Sequence, residues 1–149
     1  MNKPRRIASY LTLALALSLG LSMPEAQASR PPIRYMTIGN DSGGYIIKYA
    51  LRMMKIRQSG ALVKFNGRCD SACTLFLAIP SSHSCTTNDA SFRFHLPLGS
   101  SESGNKLARD YMLRNYPGWV RSWIRQKGGL SHKLITMNAS YAQKFTGAC

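Results

Sequence analysis

Short apolar segments that run into a turn and then into a helical pattern recur along this chain, and this succession restricts the fold more than any other feature. The first segment, Ile33 to Ile38, ends in a glycine-rich turn over 39–44 and leads into a helix predicted over 45–57. Successive strand, turn and helix units predict an α/β architecture. On the same grounds we predict strands over 61–65 and 91–96, and helices over 71–79, 106–115, 119–125 and 140–145.

The helix predicted over 45–57 carries two sets of side chains at helical spacing. One set is apolar and defines one side of the helix, whereas the other set is basic and defines another side. The apolar set is Ile47, Ala50, Leu51 and Met54, and the basic set is Lys48, Arg52 and Lys55. The helix is therefore predicted to be amphipathic, with a cationic face.

The first 28 residues have the pattern of a cleavable signal peptide. Residues 1–6 are cationic, and no charged side chain occurs from residue 7 to residue 23. Ala26-Gln27-Ala28 then supplies the small-x-small pattern that a signal peptidase accepts, which predicts cleavage between Ala28 and Ser29. A retained membrane anchor is the alternative, but the apolar run is short for a bilayer span.

Cleavage at this site predicts an exported protein, periplasmic or secreted, that matures under oxidising conditions. The mature chain over 29–149 has the length of one domain with a modest core, and no integral membrane segment is predicted within it. We therefore expect a signal peptide over 1–28 and a single folded domain over 29–149.

The chain is strongly basic, with a formal net charge of +14 at neutral pH. Such a surface attracts anionic polymers, which for an exported protein indicates acidic glycans or lipid headgroups of the cell envelope. Nucleic acid is not expected as a partner, because the chain has neither a run of five basic residues nor a basic motif interleaved with aromatic residues.

Four cysteines follow the predicted cleavage site. An even number in an exported chain predicts two disulfides, for which three pairings are possible. We expect Cys69–Cys73 to be the least favoured pair, because a strand-to-helix turn is predicted between them. A metal site that includes His83 is the alternative, but the spacing matches no familiar zinc pattern, so no metal is expected. The residues assigned to disulfides are Cys69, Cys73, Cys85 and Cys149.

Ser71 lies where the strand over 61–65 turns into the helix over 71–79. A serine at such a turn projects its Oγ, and the helix N-terminus stabilises negative charge that develops nearby. These properties suit a nucleophile, although helix capping is the commonest role of a serine at this position. A nucleophilic serine needs a base, and His95 is the best candidate because it lies on the strand face opposite the paired phenylalanines.

Three short motifs resemble those of the caseinolytic (Clp) protease proteolytic subunit, in the same order and at similar spacing. Residues 94–99 (Phe-His-Leu-Pro-Leu-Gly) resemble its His-x-Pro-Leu-Gly segment, and residues 67–73 (Gly-Arg-Cys-Asp-Ser-Ala-Cys) resemble the turn around its nucleophilic serine. Residues 40–44 (Asn-Asp-Ser-Gly-Gly) are similar to its Asn-Ser-Pro-Gly-Gly turn. The resemblance is strongest to exported, periplasmic Clp-like proteins that carry a Cys-x-Ser-Ala-Cys turn.

This resemblance implies a Clp/crotonase-like fold of stacked ββα units, shortened and with a helical C-terminal third. It implies that Ser71 is the nucleophile and His95 the base. It also implies that oxyanion-hole amides come from Gly43 or Gly44 and from Ala72, and that no cofactor takes part.

The third catalytic residue of the Clp family is an aspartate from a late helix, but no acidic residue follows Asp110 in this chain. Asn138 best matches the position of that aspartate. In a serine protease, asparagine in place of the aspartate lowers the rate by roughly 10⁴-fold because it favours the wrong histidine tautomer. Asp110 is the alternative, provided that its helix folds over the site.

These observations together predict an exported serine hydrolase or peptidase-like protein that acts on a short peptide, an ester or another small acyl compound. A tetradecameric proteolytic chamber is not expected, because the chain lacks the N-terminal unit and axial loop of the Clp subunit. An ATP-driven unfolding partner is not expected in an envelope without ATP, whereas a smaller oligomer stays open. The alternatives are a catalytically inactive Clp-like protein whose basic surface binds an anionic envelope component, and a purely structural protein stapled by disulfides.

Overall fold

The computed structural model describes residues 35–149, and its strands form two three-stranded sheets. The strands are β1 Tyr35–Ile38, β2 Leu62–Phe65, β3 Arg68–Asp70, β4 Ser84–Thr86, β5 Ser91–Phe94 and β6 Ile135–Asn138. In the first sheet, β1, β2 and β4 are parallel and follow in that order. In the second sheet, β3 is parallel to β5, and β5 is antiparallel to β6. The predicted signal peptide over 1–28 and its cleavage site lie outside the described residues.

Four α-helices and two 3₁₀ helices connect the strands of the described region. They are α1 Ile46–Ser59, the 3₁₀ helices Ser71–Ala78 and Ser81–His83, α2 Glu102–Asn115, α3 Gly118–Gln126 and α4 Ala139–Thr146. Gly60 ends α1 because it adopts a left-handed conformation with a φ of 63°. Ser101 begins α2 because its side chain accepts a hydrogen bond from the Gly104 amide. None of the helices within 35–149 combines the length and the apolarity that a membrane crossing needs.

Aromatic side chains from both sheets meet in the core. Phe65 on β2 and Phe92 on β5 are fully buried and pack edge to face, with their ring centroids 5.0 Å apart. Phe94, two residues further along β5, packs in the same way against Tyr116 at the end of α2. Alternate residues of β5 therefore face the core, which leaves the intervening positions free to carry polar groups.

The predicted α/β class is confirmed, and the longer elements lie within a few residues of their predicted bounds. The sequence pattern did not reveal β3, β4 or β6, because a strand of three or four residues shows too little periodicity to be distinguished from a loop. The segment predicted as a helix over 71–79 is a 3₁₀ helix whose residues 72–77 are all buried.

Only one member of the predicted apolar set of α1, Ala50, is buried in the core. The buried residues of α1 are Ala50, Met53 and Ile56. Ile47, Leu51 and Met54 remain 75%, 54% and 47% exposed, respectively. An apolar stripe of α1 therefore faces away from the core.

The structure corrects the expected disulfide pairing. Cys69 pairs with Cys73 and Cys85 pairs with Cys149, so the pair expected to be least favoured is present. The chain reverses at Ser71 between β3 and the 3₁₀ helix, which brings the Cα atoms of Cys69 and Cys73 to 5.3 Å, within the ordinary range for a disulfide. All four cysteines are therefore disulfide-bonded.

Loss of the Cys85–Cys149 disulfide should destabilise the protein strongly. The disulfide joins residues 64 positions apart, and release of a loop of that size should lower the free energy of unfolding by about 4 kcal/mol. Urea denaturation of Cys149→Ala should show this loss, and the double variant with Cys85→Ala should lose no more than that. A Cys149→Ala variant as stable as the wild type would contradict the pairing.

Candidate active site

Ser71 is the one non-glycine residue with a positive φ, 54°, in the described part of the chain. It follows directly after β3 and begins the 3₁₀ helix Ser71–Ala78. A left-handed backbone at a residue with a Cβ is disfavoured by about 1–2 kcal/mol and persists only where surrounding contacts enforce it. Strain of this kind concentrates at functional sites, and here it projects a serine from a strand-to-helix turn.

Asp70 joins the strand that precedes Ser71 to the strand that precedes His95. Its side chain is only 8% exposed, and both of its oxygens accept hydrogen bonds from Arg93, one of them at 2.6 Å from Nε. Arg68 Nε lies 3.0 Å from the same carboxylate. Asp70 on β3 is the register partner of Arg93 on β5, so this ion pair links the ends of the two strands that lead to Ser71 and His95.

Residues of the 3₁₀ helix that begins at Ser71 also stabilise the turn. The Cys69–Cys73 disulfide closes the chain around Ser71. The hydroxyl of Thr74 donates to the Ser71 carbonyl oxygen over 2.6 Å, and it lies 2.5 Å from the hydroxyl of Tyr116. Tyr116 is fully buried, which raises the pKa of its hydroxyl far above the ordinary value and keeps it protonated.

The glycine-rich turn before α1 packs directly against Ser71. The Asp41 amide donates to the Arg68 carbonyl oxygen over 2.7 Å, which ties this turn to β3. A Cβ placed on Gly43 would lie 2.5 Å from the Asp70 carbonyl oxygen and 2.9 Å from the Ser71 Cβ. Gly43 also has a φ of 79°, so both the close approach and the backbone conformation require glycine.

The carboxylate of Asp41 forms a hydrogen bond with the amide of Gly43 but not with that of Gly44. It accepts a hydrogen bond from the Gly43 amide at 2.8 Å and one from the Tyr49 hydroxyl at 2.5 Å. Burial, together with the hydrogen bond to Asp41, raises the pKa of Tyr49 to about 12, so Tyr49 remains a donor at neutral pH. Within the described residues the Gly44 amide makes no hydrogen bond, and the first turn of the 3₁₀ helix leaves the Ala72 amide without an intrahelical partner.

His95 follows β5, and its imidazole is hydrogen-bonded to the backbone of the next residue, Leu96. Nδ1 lies 2.6 Å from the Leu96 carbonyl oxygen, so Nδ1 carries the proton and Nε2 is free to accept one. The Leu96 amide donates to the Ser131 carbonyl oxygen over 2.9 Å. Pro97 restricts Leu96 to extended backbone, so the carbonyl that faces the imidazole is held on both sides.

The structure does not bring Asn138 to His95. Asn138 pairs with Ser91 at the opposite end of β5, roughly 13 Å along the strand from His95. Its side chain begins α4 by accepting a hydrogen bond from the Tyr141 amide. The sequence Asn-Ala-Ser-Tyr is in fact a helix start, a signal that was available before the structure was known.

Asp110 is bound by basic neighbours on its own helix. Lys106 lies 2.9 Å from one of its oxygens and Arg109 lies 3.1 Å from the other. Hydrogen bonds from Lys106 and then from Arg109 lower the pKa of this carboxyl. Asp110 is absent from the lining of the groove beside Ser71.

Ser71 and His95 open into one groove of about 1070 Å³ between α1 and α2. Gly43 and Gly44 line the same groove, whereas Ala72 is fully buried directly behind Ser71. Ser71 Oγ and His95 are not hydrogen-bonded to each other in the structure. Such contacts are often long in a ligand-free site and tighten when substrate binds. The groove therefore combines a hydroxyl, an imidazole with a free Nε2, and amides at the N-terminus of a helix.

No protein-family model matches the chain, and no curated protein matches it. Among solved structures, the fold is similar to that of a peptidase from Plasmodium falciparum, with a TM-score of 0.50. The match covers 78% of this chain and 76% of that chain at 12% sequence identity. At this identity the similarity shows a shared α/β fold alone.

The contact between Gly43 and Ser71 gives a test of how the turn is held. Gly43→Ala should lower the free energy of unfolding by about 1–3 kcal/mol more than Gly128→Ala. Both glycines have a φ near +80°, but a Cβ at Gly128 meets no atom within 4 Å, so only Gly43→Ala adds a clash to the backbone strain. Urea denaturation of the two variants measures the difference, and equal losses would show that the close approach of Gly43 to Asp70 and Ser71 is absent.

Proposed function

We propose that the protein is an exported serine hydrolase with a Clp/crotonase-like fold, in which Ser71 is the nucleophile and His95 the general base. The observation that carries this proposal is the strained φ of Ser71 at a strand-to-helix turn, on the same groove as His95. A serine that served only to cap the helix would need no such strain, because capping residues have extended backbone. The peptidase-like fold supports the proposal.

The proposed reaction is acyl transfer through the serine. Ser71 Oγ attacks the carbonyl carbon of the substrate, and its proton passes to Nε2 of His95. The oxygen of the tetrahedral intermediate becomes an oxyanion, which the amides of Gly44 and Ala72 would stabilise. Collapse breaks the bond to the leaving group, which departs with the proton from His95. Water then repeats these steps on the acyl-serine, which releases the acid and restores the serine.

The Leu96 carbonyl would take the place of the third catalytic residue. It accepts the Nδ1 proton of His95 at 2.6 Å, which holds the tautomer that an aspartate would otherwise select. A neutral carbonyl stabilises the imidazolium of the transition state less than a carboxylate does. We therefore propose a Ser–His dyad of modest activity, in which neither Asn138 nor Asp110 takes part.

The predicted export belongs to the same proposal. Two disulfides are compatible with maturation in an oxidising compartment, and a periplasmic or secreted location fits the predicted signal peptide. The substrate would be a short peptide or a small acyl compound that diffuses into the open groove.

One observation favours a second candidate, a catalytically inactive protein that binds an anionic envelope component. No carboxylate among the described residues is hydrogen-bonded to His95, although His95 would have to act as a base. In that case the basic side of α1 would form the binding surface, and Lys48, Arg52 and Lys55 would carry it.

A fluorophosphonate probe that labels nucleophilic serines tests the enzyme directly. Wild-type protein should be labelled, Ser71→Ala should not be, and His95→Ala should be labelled roughly 10²- to 10⁴-fold more slowly. His83→Ala is the matched control and should leave the rate unchanged, because the His83 imidazole is hydrogen-bonded to the neighbouring Ser82 hydroxyl and His83 does not line the groove. The Asn138→Asp variant should also be labelled at the wild-type rate, because residue 138 lies on β6 beside the end of β5 that is far from His95.

Folded, oxidised wild-type protein that is not labelled would contradict the enzyme and favour the binding protein. Elution from heparin then separates the remaining possibilities. The triple change of Lys48, Arg52 and Lys55 to Gln should shift elution to markedly lower salt if α1 forms the anion-binding surface.

A further inference from the structure

Exposed apolar side chains are concentrated around the candidate active site. Among the described residues nine large hydrophobic side chains are exposed, and six of them line the groove beside Ser71. These six are Tyr45 (78% exposed), Ile47 (75%), Leu51 (54%), Met54 (47%), Leu98 (59%) and Leu107 (67%). Single exposed apolar residues are ordinary, but a contiguous apolar surface marks a binding site.

The two walls of the groove are the helices α1 and α2. Ile47, Leu51 and Met54 lie at helical spacing along one side of α1, which differs from the side that is buried in the core. Leu107, Ala108 and Tyr111 line the groove from α2. The apolar stripe of α1 is therefore matched by an apolar wall across the groove.

The polar groups that line the groove restrict the chemical class of ligand that can bind there. Among residues 35–149, none of those that line the groove is acidic, and Arg114 is the only Lys or Arg that lines it. In the described part of the chain, no residue that lines the groove belongs to a strand. A peptide that bound by strand addition would need a row of free backbone amides and carbonyls, which the two helical walls of the groove do not offer because helices satisfy these groups internally. An alkyl chain needs no hydrogen-bond partners.

We propose that the groove binds the acyl chain of a carboxylic ester, with the ester carbonyl at Ser71 and the chain lying between α1 and α2. This inference rests on the proposed hydrolase function. Ile47 and Met54 are roughly 10 Å apart along the axis of α1, which an acyl chain of roughly eight carbons covers. The acyl–oxygen bond of the ester breaks, the alcohol leaves with the proton from His95, and the acyl group stays on Ser71 until water releases it as the acid.

The chain length of the substrate should therefore control the rate. Each methylene buried in the groove should raise kcat/KM by roughly threefold to fourfold until the groove is filled. The experiment measures kcat/KM for p-nitrophenyl esters from acetate to decanoate, using the oxidised full-length mature protein. The decanoate-to-acetate ratio of kcat/KM is the quantity compared among variants.

Leu51→Glu and Leu107→Glu should each lower the decanoate-to-acetate ratio by about tenfold or more, because a carboxylate in the groove opposes burial of an alkyl chain. Leu134→Glu is the matched control. Leu134 is 49% exposed, close to Leu51 at 54%, but lies outside the groove, so its ratio should equal that of the wild type. All three side chains are exposed, and circular dichroism should confirm that the variants are folded.

Short and long fluorophosphonates separate failure of this inference from failure of the proposed function. Wild-type protein that reacts with neither an ethyl nor a decyl probe is not a serine hydrolase, and both proposals fail. If the ethyl probe labels the protein at Ser71 but the protein shows no preference for long esters, the protein is a hydrolase with a different substrate. The acyl-chain inference alone is then overturned.

Sedimentation of the same variants tests a second copy of the chain as the occupant of the groove. If Leu51→Glu and Leu107→Glu dissociate an oligomer and leave the decanoate-to-acetate ratio unchanged, the groove is an interface between copies and the inference is overturned. A lowered ratio with unchanged sedimentation supports the acyl-chain site.

Discussion

The geometry of the groove depends on the nearly buried carboxylate of Asp70. The strand β3 has only three residues and therefore little backbone pairing of its own to define where Ser71 lies. Arg93 donates hydrogen bonds to both oxygens of Asp70, and Arg68 forms an ion pair with the same carboxylate. The bidentate hydrogen bonds from Arg93 satisfy both carboxylate oxygens, and the positive charge of Arg68 further offsets the cost of burying the carboxylate.

Several independent contacts then hold Ser71 in a conformation that its Cβ disfavours. Gly43 fills the space in front of the turn, the Cys69–Cys73 disulfide closes it, and Thr74 binds the serine carbonyl. Arg68 adds a link by donating from Nη2 to the Ser42 hydroxyl over 3.1 Å. The strained turn is thereby fixed relative to the glycine-rich loop as well as to β5, and these surrounding contacts offset the cost of its disfavoured backbone conformation.

Much of this arrangement could be predicted from the sequence. The α/β class followed from the succession of apolar segments and turns, and the structure places Ser71, His95, Gly43 and Gly44 around one groove. Their catalytic roles remain predictions. Sequence could not reveal the Cys69–Cys73 pair, because the reversal at Ser71 that shortens their separation depends on a backbone conformation that serine rarely adopts. It also could not reveal that Ile47 and Leu51 avoid the core, because periodicity identifies an apolar side of a helix without stating what that side contacts.

The hydrogen bond between His95 and the Leu96 carbonyl has a consequence for inheritance. Every amino acid has a main-chain carbonyl oxygen, so the group that orients the imidazole does not depend on which residue occupies position 96. No side-chain substitution there would remove it. What the gene does specify is the shape of the main chain there, through Pro97 and through the Ser131 carbonyl that holds the Leu96 amide. Substitutions at Pro97, or in the loop that contains Ser131, would therefore change the orientation of His95 more than a substitution of the Leu96 side chain would.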